Sequence, residues 1–134
     1  MKKLILVLIA VFAFAKHGQT NDPALQEALQ GHYIKAFRMF DKRCSENDGY
    51  ACGMVAYFYN KGLGVKKDLK AAIDYYTKGC ALNDNDSCTI LGYYYYKGIG
   101  VKKNLNKAVT LLKKACNNNS KDACNYLKEI ANIK

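Results

Sequence analysis

The chain is 134 residues long, half of them hydrophobic, with 21 Lys and Arg against 11 Asp and Glu and a formal net charge of +10. That length is one domain's worth, and past the N-terminus no segment is apolar enough to cross a membrane, so these residues are expected to fold as one domain with no further membrane span. The basic balance favours anionic partners such as cell-envelope polymers, lipid headgroups or acidic proteins.

Met1, Lys2 and Lys3 precede the apolar run Leu4 to Phe14, and Ala13-Phe14-Ala15 has the A-x-A form of a signal-peptidase site. An apolar run of 11 residues falls short of the roughly 20 that span a bilayer as a helix, so it reads better as a leader cleaved after Ala15 than as an anchor. Residues 1–15 are therefore expected to be removed. The remaining chain would start near Lys16 and carry 19 basic against 11 acidic residues, or +8. It is expected to be a monomer in the periplasm or outside the cell, with no nucleic-acid partner despite its charge.

Asn21-Asp22-Pro23 is a cap followed by proline at a helix start, and Ala24 to Leu29 is a short apolar-faced helix closed by Gly31. It looks like part of a truncated unit that caps the next one, so residues 16–34 form an N-terminal capping region. From residue 35 onward the chain repeats itself every 36 positions. Lys35-Ala36, Ala71-Ala72 and Lys107-Ala108 align, as do Tyr57-Phe58-Tyr59, Tyr93-Tyr94-Tyr95 and the more divergent Glu129-Ile130-Ala131. A period in the thirties predicts a stacked array, here with units 35–70 and 71–106 and a truncated C-terminal unit 107–134.

Each unit reads as two helices. Leu105, Ala108, Leu111, Leu112 and Ala115 recur at three- and four-residue steps behind Asn104, and Asp68 holds the equivalent capping place one unit earlier. Ser87 to Tyr96 is the second helix, with Leu91-Gly92 in its middle and Gly98 at its end. Between the helices runs KGLGVKKDL at 61–69, repeated as KGIGVKKNL at 97–105. A phosphate cradle would need an entering strand and a G-x-x-x-x-G-K-[ST] or G-x-G-x-x-G pattern, and neither is present. The phrase is punctuation: glycine ends one helix, Val65 plugs the core and Asp68 caps the next helix.

Cys44, Cys52, Cys80, Cys88, Cys116 and Cys124 form three C-x7-C pairs at the same period. An even count with regular spacing in an exported chain reads as a disulfide framework, and of the fifteen connectivities the one that repeats is Cys44–Cys52, Cys80–Cys88 and Cys116–Cys124. Zinc is disfavoured because both histidines, His17 and His32, precede the first cysteine. No C-x-x-C redox motif, no haem motif and no other cofactor signature occurs.

The two-helix unit, the period, the phrase LGYYYYKGIGVKKNLNKA at 91–108 and the C-x7-C staples together resemble Sel1-like repeats, relatives of the tetratricopeptide repeat. With a leader and a disulfide in every unit, the chain is similar to the Helicobacter cysteine-rich protein family over about residues 23–134. The resemblance implies an all-α solenoid, a right-handed superhelix of αα-hairpins with one disulfide per repeat. It implies two functions as well. Sel1-like repeats act as binding scaffolds for proteins and peptides, whereas the cysteine-rich family is described as penicillin-binding and weakly active as a β-lactamase on penicillin and cephalosporin derivatives.

The residues supply no recognised hydrolytic constellation. Ser45, Ser87 and Ser120 do not stand in S-x-x-K, and two N-terminal histidines do not make a metal-dependent lactamase. No catalytic residue is assigned. The groove positions that the repeat resemblance implies are Thr89, Tyr93, Tyr96 and Lys97, with Tyr57, Asn60 and Lys61 one unit earlier and Asn125 one later. Tyrosine offers apolar area with a hydroxyl, and lysine attracts carboxylates. An acidic peptide, a peptidoglycan stem peptide or a protein segment would suit such a groove.

Overall fold

The computed structural model describes residues 21–133, so the leader and its cleavage site after Ala15 lie outside the described residues. Seven helices follow one another there: α1 (Pro23–Leu29), α2 (Tyr33–Ser45), α3 (Gly49–Lys61), α4 (Leu69–Ala81), α5 (Asn85–Lys97), α6 (Leu105–Asn117) and α7 (Lys121–Asn132). Each helix packs antiparallel-fashion on the next through a short turn, and α5 also touches both α3 and α7. The helices α2, α4 and α6 stand further apart and meet through long side chains, Tyr75 donating its hydroxyl to Asp41 at 3.2 Å and Lys114 its ammonium to the Cys80 carbonyl at 2.9 Å. Two rows result, an inner one of odd-numbered helices and an outer one of even-numbered helices, and the closer inner row makes that face concave. This is the αα-hairpin solenoid.

The turns are set by the repeat. On the stapled side, Asn47, Asn83 and Asn119 take left-handed backbone conformations, with φ of 67°, 68° and 73°. The next residue in each case caps an inner helix. Asp48 accepts from the Ala51 N–H, Asp84 from Ser87 and Ser120 from Ala123. Because Asp84 is the cap, α5 begins at Asn85, half a turn before the Ser87 start expected from the apolar pattern. On the opposite side, Gly62 and Gly98 end inner helices in the left-handed region and Asp68 and Asn104 cap outer ones. Gly64 has a second reason to be glycine. A Cβ there would lie 2.5 Å from the Tyr33 carbonyl oxygen, because the turn is pressed onto the start of α2.

The core is thin and divided. An N-terminal cluster gathers around Phe40, Val55 and Phe58, and a C-terminal one around Tyr76, Leu91 and Leu112. The stacked rings of Tyr59 and Tyr75, with centroids 5.6 Å apart, join them. Disulfides Cys44–Cys52, Cys80–Cys88 and Cys116–Cys124 tie α2 to α3, α4 to α5 and α6 to α7. On the entropy model each nine-residue closure stabilises by about 2.5 kcal/mol.

At the N-terminal end, Arg43 fastens α1 to the array. Its Nη1 donates to both Asp22 carboxylate oxygens at 2.8 Å, and its Nε and Nη2 reach Asp48 at 3.0 and 2.9 Å.

Candidate functional site

The inner helices present four aligned positions to the concave face, spaced i, i+3, i+4 and i+7 as one helical stripe requires. On α3 they are Tyr50, Gly53, Met54 and Tyr57; on α5 Asp86, Thr89, Ile90 and Tyr93; on α7 Asp122 and Tyr126 complete the wall. Two adjoining cavities of about 290 Å³ each lie along this stripe and share Tyr57, Tyr76, Thr89, Ile90 and Asp122. They form one groove across three helices.

Its floor near the stapled end is polar. Asp84 is drawn in by its capping role and accepts from Ser87 twice, from the N–H at 3.1 Å and from the hydroxyl at 2.5 Å. Burial pushes the Asp84 carboxyl above the ordinary carboxylate range against those hydrogen bonds, and the neighbouring charges of Asp86 and Asp48 push the same way. Gly53 leaves room for this pair. A Cβ there would meet Ser87 Oγ at 2.6 Å and Asp84 Oδ2 at 2.7 Å. Further along, Thr89 and Ser120 share a hydrogen bond of 2.9 Å.

The far half is aromatic. The Tyr93 and Tyr126 rings lie 4.9 Å apart, Tyr57 is 42 % exposed, and Asn60 and the buried Tyr94 line the same cavity. Burial raises the Tyr76 and Tyr94 hydroxyls above the ordinary phenol range, so they remain neutral donors at physiological pH.

Of the residues that the resemblance pointed to, Tyr57, Asn60, Thr89 and Tyr93 line this groove. Tyr96 does not: it is 5 % exposed, belongs to the C-terminal core and carries the Lys97 ammonium 4.4 Å above its ring. Lys61, Lys97 and Asn125 are exposed outside both cavities. The inner helix is the expected one, but the groove sits about one turn closer to the stapled end. The missed positions, Tyr50, Asp86 and Asp122, are themselves 36 residues apart, and so are Met54, Ile90 and Tyr126. Extending the alignment one turn toward the helix starts would have found them.

All three serines of the described residues are engaged locally. Ser45 donates to the Lys42 carbonyl, Ser87 is fully buried on Asp84, and Ser120 caps α7. Among the described residues no group of three or more His, Cys, Asp and Glu is placed to hold a metal ion.

Comparison with known proteins agrees with this architecture. The Sel1 repeat family model matches residues 49–84 and 85–120. In that frame each unit is an inner helix followed by an outer one, and each disulfide joins the outer helix of one unit to the inner helix of the next. The Helicobacter pylori cysteine rich protein B structure is 39 % identical, with a TM-score of 0.64, covering 81 % of this chain and 98 % of that one. A Sel1 repeat protein from Oxalobacter formigenes is 28 % identical, with a TM-score of 0.69, over 75 % of this chain and 41 % of that one. A curated relative, Beta-lactamase HcpA of Helicobacter pylori, is 35 % identical over 83 residues, 56 % of this chain. This chain spans about a third of that relative's length, 33 %. With the family model covering more than half of the sequence and the staples in place, the chain belongs to the Sel1-repeat family, in the cysteine-rich, disulfide-linked group that includes the Helicobacter pylori protein.

Proposed function

We propose that the protein is an exported binding module whose concave groove holds an extended peptide, from a cell-wall stem or from a protein partner. The observation that carries this reading is the groove itself: three inner helices present Tyr57, Tyr93 and Tyr126 with polar groups between them along one continuous trough. Tyrosine gives large contact area at low entropic cost, the composition of adaptable binding surfaces. Export is supported by the leader-like N-terminus and by six cysteines all held in disulfides, which persist in oxidising compartments.

A second reading, weak hydrolysis of β-lactams, is favoured by the name of the HcpA relative. The serine geometry speaks for binding over catalysis, because each hydroxyl serves a turn or a helix start, and Ser87, which is bonded to the Asp84 carboxylate, is fully buried. The test is calorimetric titration of the oxidised protein with stem peptides and a penicillin, with ring opening followed in the same sample. Saturable binding without turnover is expected. Turnover that co-purifies with the protein and is lost on a single polar substitution would replace this reading with the enzymatic one.

A further inference from the structure

The groove's charge is opposite to that of the chain. Basic residues outnumber acidic ones 21 to 11, yet neither cavity is lined by any Lys or Arg, and Asp84, Asp86 and Asp122 all are. The lysines of the repeated turns, Lys66, Lys67, Lys102 and Lys103, are exposed at the opposite ends of the inner helices. Asp84 is occupied by Ser87, but no basic side chain among the described residues pairs with Asp86 or Asp122. Both stand in the first turns of inner helices, where the helix dipole favours negative charge. Tyr50 and Tyr57 line the same cavity as these two carboxylates, and aromatic ring faces attract cations through the ring quadrupole.

We infer that the groove selects peptides carrying lysine, with the ammonium group held by Asp86 and Asp122 in the cavity that they share with the Tyr57 ring. The inference rests on the groove being the binding site. It reverses the preference for acidic peptides that the overall charge suggests: long-range attraction of the molecule for anions stays on the lysine edge, and the groove discriminates by its own exposed carboxylates, Asp86 and Asp122. An Nε-acetylated lysine keeps the apolar stem and loses the charge, so it separates electrostatic selection from simple tyrosine contact.

The experiment is a titration of the isotope-labelled, disulfide-intact protein, recovered from export, with three hexapeptides blocked at both ends. They differ only in two central residues: lysine, Nε-acetyl-lysine or glutamate. The lysine peptide is expected to shift amide resonances of Asp86, Ile90, Tyr93 and Asp122, and to bind at least about tenfold more tightly than the acetylated one. The Asp86→Asn, Asp122→Asn double variant, isosteric and outside the core, should erase that difference while leaving the spectrum of the free protein nearly unchanged. Equal binding of the acetylated peptide in the groove, or a lysine preference that survives the double variant, would overturn the inference and leave the groove as a peptide site. Failure of all three peptides to move any groove resonance would overturn both.

Discussion

Neighbouring residues of one helix face have different tasks here, and substitution should separate them. Tyr57 is half exposed on the groove, so Tyr57→Ala is expected to weaken peptide binding about tenfold with the melting temperature almost unmoved. Tyr96→Ala should do the reverse, costing about 3 kcal/mol or more in urea unfolding, because that ring fills core. Asp48 has a different test. Burial alone would raise its carboxyl, but the Ala51 N–H and the Arg43 guanidinium outweigh it and hold the group below the ordinary range. A depressed carboxylate contributes stability that is complete above its unfolded value and lost as pH falls through its folded one. Stability should therefore drop on acidification below about pH 4, and Asp48→Asn should flatten that limb in urea titrations at successive pH values. Asp84 has the opposite sign: its raised folded value means that proton uptake there stabilises the fold as pH falls through it. The capping roles of Asp68 and Asn104 were legible from sequence, since an N-cap declares itself by its place before an apolar stripe. That Asp86 and Asp122 share one trough was not, since it depends on how three helices stack.

The helix hairpins succeed because small residues let them approach and staples hold them there. Gly92 lies against the outer helix α6, where a Cβ would come within 2.7 Å of Leu112 Cγ, and Leu112 is fully buried with nowhere to yield. Gly92→Ala is expected to cost about 1–3 kcal/mol, read from the urea midpoint. Helix number, period and cysteine pairing were all readable, because each depends on local spacing that recurs. The cavities extend about one turn further toward the helix starts than the Tyr-rich run in the C-terminal half of each inner helix suggests. There Tyr96 turns into the hairpin, while the shallower half carries Tyr50, Asp86 and Asp122. The third unit conceals its contribution further. Glu129 aligns with Tyr93, but the ring that meets Tyr93 comes from Tyr126, which aligns with Ile90.

For the molecule as a whole, the staples are comparable with the stability itself. Three closures at about 2.5 kcal/mol each approach the 5–15 kcal/mol typical of a domain. Thermal unfolding followed by circular dichroism should fall by well over 15 °C on adding a strong reductant, and a fold that melts unchanged when reduced would contradict this account. In a stacked array each unit leans only on its neighbours, so loss of Cys80–Cys88, which is buried inside the C-terminal core in the middle of the array, should lower the melting temperature more than loss of the terminal Cys116–Cys124. The inner row is also a ruler. Three inner helices at about 8–10 Å between axes give a trough of about 16–20 Å, the reach of roughly five or six extended residues. Each further 36-residue unit would lengthen that reach by about three residues. Repeat number would then be a measure of ligand length.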